Sequence, residues 1–296
     1  MRIAVIGPTG QVGTEVAAAA RAAGHDVVTV THADCDVTDR AALDVALRTL
    51  QPGDAVVNTA AFHRTDECEE QPDKAMAVNA LGAYNAAAAA RDRGASIVFL
   101  SSDFVFDGTK SGAYVESDAP RPINAYGVSK LAGEMLVAHA NPAHYVARIS
   151  SVFGAAGSSG KGGNFVETML AKARRGERIE VVDDIIMAPT YAADAGKLVV
   201  SLIAMSAPYG TYHLSNAGEC SWHAFADAIL EAAGQPARAH PIASIEAPGK
   251  ARRPKHSALE SERLAPLGLR ARPWREGLHA YLAQKGHLVN ASAAGA

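Results

Sequence analysis

Tyr126 and Lys130 stand four residues apart in the string NAYGVSKLAGE, so on a helix they share one face. A phenol, with its ordinary pKa of ~10, exchanges protons near neutrality only where a nearby cation favours its ionised form. An ammonium one turn away is such a cation. A carbonyl that receives hydride builds negative charge on oxygen and needs a proton donor beside it. Ser102, at the end of the run SIVFLSS, would add a hydroxyl that orients the carbonyl and stabilises the developing oxyanion. Taken alone the Tyr-x-x-x-Lys spacing is weak: eight tyrosines and nine lysines in 296 residues give a chance match about a quarter of the time. The order of the pieces strengthens it. A glycine loop, Gly7-Pro8-Thr9-Gly10-Gln11-Val12-Gly13, comes first, then the serine run, then the tyrosine segment. Together they read as nucleotide-dependent carbonyl reduction by serine, tyrosine and lysine.

The glycine loop follows the strand-like RIAVI and opens the helix-like TEVAAAARAAG. Glycines there allow a tight turn and close approach of backbone N–H groups to a pyrophosphate, which also gains from the helix N-terminus. The second run, Val27-Val28-Thr29-Val30-Thr31-His32, ends without a carboxylate for a free ribose 2′-hydroxyl and without an obvious arginine for a 2′-phosphate. Arg2 and His32 are the cations left to consider, and the balance leans slightly to NADPH, with NADH open. In Asp36-Val37-Thr38-Asp39, Thr38 or Asp39 fits a helix N-cap.

The elements that must position these residues alternate. RIAVIG, DVVTVT, AVVNTA, SIVFLSS and HYVARIS are short apolar runs. They are separated by helical stretches near 40–50, through 75–94 and over 124–140. Runs that are apolar throughout indicate strands buried on both faces of a parallel sheet. An α/β, doubly wound, Rossmann-like fold follows, with its ligand crevice at the carboxyl ends of the strands. Beyond Ser150 the rhythm changes to a glycine- and serine-rich loop at 154–163, which would be free to close over a site. Helices near NFVETMLAKARRG, AADAGKLVVSLIAM, WHAFADAILEAAG and PWREGLHAYLAQ come next, with strands IEVVDD and GTYHLS among them. The expected division is a dinucleotide-binding domain over 1–153, joined by about 188–216, and a smaller interleaved substrate-binding part over 154–187 and 217–285. A disordered tail is expected over 286–296.

Formal net charge is −3, which argues against nucleic acid or an anionic membrane as partner. No apolar run approaches the ~20 residues of a membrane span. The N-terminus opens directly on a strand pattern, and the three cysteines are widely spaced without metal-site intervals, so a cytoplasmic, reduced setting is expected. No metal is expected. His32, Asp34, Cys35 and Asp36 read as a solvated loop, and Asp66-Glu67-Cys68-Glu69-Glu70 as the acidic start of a helix.

The chain resembles the extended short-chain dehydrogenase/reductases, and within them the dTDP-4-dehydrorhamnose reductase family. The resemblance rests on GPTGQVG, on NTAAF followed by Asp66 and Glu69, and on LSSDFVFDG, YGVSKLAGE, VVDDIIMAPTYAADAG and RRPKHSALESERL, strings that span nearly the whole chain. It implies NAD(P)H-dependent reduction of the 4-keto group of a nucleotide-linked deoxy sugar, with a second copy of the chain as the one protein partner to consider. It also implies catalytic Ser102, Tyr126 and Lys130. The cofactor would be lined by Gly7, Gly10, Gln11, Val12, Asp36, Val37, Ala60 and Ala61, with Tyr126 and Lys130. Substrate contacts would come from Ser102, Asp103, Phe104, Ser151 and Arg253, the last near the nucleotide diphosphate. The chain departs from that family's usual pattern at Ser102 (commonly threonine), at Phe104 (commonly tyrosine) and after Arg148, where a tryptophan is common and this chain carries Ser151 and Phe153. These changes fall where the sugar should be recognised, and a lost hydrogen bond or stacking partner there changes specificity. Reduction or epimerisation of another activated sugar or ketone, and a non-catalytic NADP-binding subunit, are the competing readings.

Overall fold

The computed structural model describes residues 1–156, 163–247 and 249–288. Its first half alternates as expected. β1 (Arg2–Ile6), α1 (Gln11–Ala22), β2 (Asp26–Val30), α2 (Arg40–Ala46) and β3 (Ala55–Asn58) lead to α3 (Thr65–Glu70), α4 (Pro72–Met76) and α5 (Gly82–Asp92). Then come β4 (Ser96–Ser102), α6 (Ala125–Ala140) and β5 (His144–Ile149). The second half holds β6 (Val152–Phe153), α7 (Phe165–Arg174), β7 (Ile179–Val182), β8 (Ile186–Met187), β9 (Thr190–Tyr191) and α8 (Ala192–Ala204). It ends with β10 (Gly210–His213), β11 (Cys220–Ser221), α9 (Trp222–Ala232), β12 (Ala239–Ile242) and α10 (Trp274–Gln284).

Six strands form one parallel sheet in the order β10-β5-β4-β3-β1-β2. The alternation along β1 shows why its residues are apolar throughout. Ile3 and Val5 pack into one core with Val16 of α1 and Val199 of α8, while Ala4 and Ile6 face Leu43 of α2 and Ala83 and Ala87 of α5 on the other side. Each face of the sheet is covered, so a charged residue at either register would be buried. The order reverses between β1 and β3, and the crevice opens at the carboxyl ends of the strands there. A separate apolar cluster joins Phe153, Val166, Leu170, Tyr191, Phe225, Ile229, Tyr281 and Leu282.

The helix expected through 75–94 is broken. Residues 77–81 form a π turn between α4 and α5, and Asn79 lies buried within it. The Asn79 side chain accepts from Phe62 N at 2.8 Å and donates to Phe62 O and Ser129 Oγ, both at 2.9 Å. A π turn widens the helix by one residue per turn, and here it delivers an amide to backbone groups outside the helix that have no strand or helix partner. Asp39 caps α2, accepting from Ala42 N at 3.0 Å. Asp66 and Glu67 sit in the first turn of α3, as the acidic run suggested. Of the tail expected over 286–296, residues 289–296 lie outside the described residues, as do residues 157–162 of the glycine/serine loop.

Candidate active site

Three strand ends and one helix build the site. The loop after β1 turns at Gly7, with φ +80°, where a side chain would be strained. A Cβ at position 13 would lie 2.1 Å from Gly7 O, so Gly13 is what lets α1 start against the loop. The end of β3 supplies Thr59, Ala60 and Ala61, and the end of β4 supplies Ser101, Ser102 and Asp103. Asn124 caps α6 by accepting from Gly127 N at 2.7 Å, and its amide donates to Arg252 O at 2.7 Å. That cap sets where Tyr126, the second residue of the helix, faces the crevice. Together these elements enclose a cleft of about 1000 Å³.

Gly7, Gly10, Gln11, Val12, Asp36, Val37, Ala60, Ala61, Ser102, Asp103, Phe104, Tyr126, Lys130 and Ser151 all line that cleft. The glycine cradle fits a dinucleotide: a Cβ at Gly7 would meet Thr59 Oγ1 at 2.8 Å and one at Gly13 would meet Gly7 O, so only glycine lets the turn pack this tightly at the start of α1. Gln11 Oε1 points the same way: it is buried and has no hydrogen-bond partner among the described residues. An unpaired buried carbonyl is costly, and a donor group on a bound ligand would relieve it. Of the two cations weighed for the 2′-phosphate, His32 lines the cleft. Arg2 does not: it binds Asp26 Oδ2 at 3.0 Å and Thr49 O at 2.7 Å at the amino ends of the strands.

Burial shifts three groups of the site away from their ordinary titration. Lys130 is 1 % exposed, its Nζ donates to Leu100 O at 2.6 Å, and it lies 4.1 Å from the Phe99 ring centroid. Burial drives its pKa down to about 7, against the pull of Glu134. Tyr126 is pushed well above the usual phenol value, first by burial and then by Asp103, while the Ser102 hydroxyl acts the other way. Lys130 stands one turn further along the same face of α6. A neutral Tyr126 keeps its proton, which is the state a proton donor must start from.

Asp103 is the third of these groups and lines the cleft. It was expected to touch the sugar; it is 3 % exposed and its carboxylate is taken by three serines. Ser102 Oγ donates to Oδ1 at 3.0 Å, and Ser150 and Ser257 donate to Oδ2 at 2.9 and 2.6 Å. Burial outweighs these bonds and raises its pKa to about 6. A raised carboxylate pKa means that the folded state pays nothing extra below 3.8 and the full penalty above about 6. The difference between 3.8 and about 6 corresponds to roughly 3 kcal/mol. Asp103→Asn should therefore gain about that much stability relative to wild type between pH 4 and pH 7. Urea unfolding at the two pH values reads this directly, and an unchanged difference between the proteins would rule it out.

Arg253, expected at a diphosphate, sits instead on Asp66 Oδ1 at 3.3 Å and Thr65 Oγ1 at 3.4 Å, and it does not line the cleft. Asp66 also accepts from Ala251 N at 3.1 Å, so α3 anchors the basic 250–253 segment beside the cleft mouth, where Thr65 lines the wall. Ser151 lies in the wall with φ +45°, a left-handed conformation that is rare outside glycine and clusters at functional sites. The sequence reading missed Phe165, Thr168 and Trp222, which also line the cleft. Phe165 and Trp222 meet edge to face at 4.7 Å. Trp222 is one of only two tryptophans in the chain, and its place at a helix start was the one available signal. The described residues contain no group of three metal-ligating side chains. None of their helices is long and apolar enough to cross a membrane.

Comparison with known proteins supplies the family. Residues 1–286 match the family model described as the RmlD substrate binding domain. The chain is 37% identical over 284 residues to the spore coat polysaccharide biosynthesis protein SpsK of Bacillus subtilis, covering 96% of this chain and 98% of that one. It is 38% identical over 280 residues to the dTDP-4-dehydrorhamnose reductase of Mycolicibacterium smegmatis, covering 94% and 84%. Among solved structures, the dTDP-4-dehydrorhamnose reductase of Bacillus anthracis in complex with NADP superposes with a TM-score of 0.89 at 34% identity. That match covers 96% of this chain and 99% of the other.

Proposed function

The chain belongs to the RmlD substrate binding domain family, and from that premise we propose that it is an NAD(P)H-dependent reductase of the 4-keto group of a nucleotide-linked deoxy sugar, with dTDP-4-dehydrorhamnose as first candidate. The observation that carries the reading is the convergence of Ser102, Tyr126 and Lys130 on one cleft with the glycine cradle. NADPH is the favoured cofactor, since the relative from Bacillus anthracis holds NADP, and NADH is the second choice. A cytoplasmic location is part of the same proposal.

When bound, the reduced nicotinamide supplies the hydride. Tyr126 gives its Oη proton to the keto oxygen, and the burial that keeps the phenol neutral keeps that proton available. Ser102 exchanges its bond to Asp103 Oδ1 for one to the same oxygen, so that the hydroxyl stabilises charge as it builds. Lys130, one turn along the same face, offers a positive charge to the phenolate left on Tyr126. Phe165 and Trp222 line the same cleft and can cover apolar ring surface of the substrate.

The test is loss of the near-ultraviolet absorbance of NADPH, or of NADH, on addition of enzymatically made dTDP-4-dehydrorhamnose. Stoichiometric oxidation with formation of the 4-hydroxy sugar is expected. Cofactor binding without oxidation of this sugar would remove it as substrate. Cofactor binding without oxidation of any keto sugar in a panel would leave the non-catalytic reading.

A further inference from the structure

Ser102 ends β4 and lines the cleft, and its hydroxyl is held from two sides. Oγ accepts from Phe104 N at 3.2 Å and donates to Asp103 Oδ1 at 3.0 Å. The Asp103 carboxylate is in turn fixed by donors distant in sequence. Ser150 Oγ, just after β5, reaches Oδ2 at 2.9 Å, and Ser257 Oγ reaches the same oxygen at 2.6 Å. Both bonds fall on Oδ2, so Oδ1 is the oxygen left to Ser102. The two donors are themselves tied to the frame. Ser150 is fully buried and its N donates to Ser215 Oγ at 3.0 Å. Ser257 is buried as well, and its N donates to Ile186 O, on β8, at 2.9 Å. The neighbouring Ser101 is committed elsewhere. Its Oγ donates at 2.6 Å to Glu134 Oε1, and Arg148 grips the Glu134 carboxylate with bonds of 2.9 and 2.7 Å.

We propose that Ser257 and Ser150 are positioning residues, which hold Asp103 so that it fixes the Ser102 hydroxyl for the keto oxygen. The proposal rests on the catalytic reading of Ser102 given above. Through Ser257, which stands 154 residues beyond Asp103, the second half of the chain supplies part of the aim of a hydroxyl that ends β4.

A serine left to itself samples several staggered χ1 wells, and its hydroxyl proton turns freely. A donor that must be found anew in each turnover costs reorganisation, whereas one already aimed costs none. Hydrogen bonds to a carboxylate are roughly twice as strong as neutral ones, and here they run in a chain from Ser102 through Asp103 to Ser150 and Ser257. The keto oxygen then replaces Oδ1 as acceptor while Oγ stays where Phe104 N and the carboxylate have put it. Loss of either distal serine leaves Oδ2 with one donor, and the carboxylate gains freedom about χ2, a broad torsion in aspartate. Ser102 loses its aim although nothing that touches the substrate has been removed.

The experiment measures kcat, KM and NADPH affinity for wild type, Ser257→Ala, Ser150→Ala and Ser102→Ala, with circular dichroism to confirm folding. Each distal change is also combined with Ser102→Ala. Ser102→Ala alone should lower kcat about 10²-fold, the effect of removing one oxyanion donor. Ser257→Ala should lower kcat about five- to tenfold, with KM and NADPH affinity within about twofold of wild type, because the lost order matters where charge develops. In the Ser102→Ala background it should change kcat by less than about twofold, since no hydroxyl is left to aim. Ser150→Ala removes the other donor to Oδ2 and should repeat both results, and it carries the test should Ser257→Ala not fold. Losses that multiply in the double variants overturn the proposal and leave the distal serines structural. So does a fall in NADPH affinity that parallels the fall in kcat. Activity retained in Ser102→Ala overturns the reading of the site and the inference with it. An impaired Ser102→Ala beside an unimpaired Ser257→Ala overturns the inference alone.

Discussion

Tyr126→Phe should leave a folded protein that binds NADPH normally but reduces its keto sugar about 10²- to 10⁴-fold more slowly, the usual contribution of a positioned proton donor. The ring itself is not what is lost. Tyr126 meets Phe104 edge to face at 5.8 Å, and a phenylalanine keeps that packing. Only the Oη proton and its interaction with Ser102 disappear. Since burial and Asp103 hold the phenol neutral, wild type enters each cycle with the proton in place, and the variant has no nearby substitute: Ser102 donates its own to Asp103. The diagnostic is a fall in kcat with cofactor affinity unchanged, measured by turnover and by quenching of protein fluorescence on NADPH binding. A variant with kcat within about threefold of wild type would remove Tyr126 as the donor, since that loss is well short of what such a donor contributes.

Arg148→Met is expected to have the largest effect on stability, a loss of about 3–5 kcal/mol. Removing one member of a buried pair strands the other. Glu134 would lose two of its three hydrogen bonds and its counter-charge in a site closed to water. The damage spreads because the pair ties β5 to α6 and, through His213, to β10 at the sheet edge. Chemical denaturation of wild type and variant measures it. A loss below about 1 kcal/mol would mean that the buried carboxylate is neutralised at little cost by taking up a proton.

Much of this was legible beforehand, and the reasons differ by element. Four of the five apolar runs named their strands because the interior of a parallel sheet buried on both faces leaves no polar register, while β2, at the sheet edge, is only partly covered. The sites on β1, β4 and α6 were legible because Gly7 to Gly13, Ser102 and Tyr126 with Lys130 each carry a local pattern. Asp103 was found without its partners: Ser150 and Ser257, which donate to its carboxylate, stand 47 and 154 residues away, and a serine has no local signature. The π turn at 77–81 was invisible because its cause is Asn79 reaching Phe62, a tertiary contact that overrides a continuous helical pattern. Strands of two residues, such as β6, β8, β9 and β11, are too short to have a period at all. Arg253 was placed by resemblance, and its pairing with Asp66 across 187 residues could not be read from either end.

The position of β10 has a consequence for how the molecule is made. This strand closes the edge of the nucleotide-binding sheet against β5, yet it is synthesised only after α7 and β7 to β9 have left the ribosome. A nascent chain released through β5 thus holds five strands with an open edge, a surface prone to wrong pairing. Ser257, which completes the shell around Asp103, emerges later still. The glycine loop after β1 is among the first parts of the protein to be translated, and the environment of Ser102 and Asp103 is among the last to be finished.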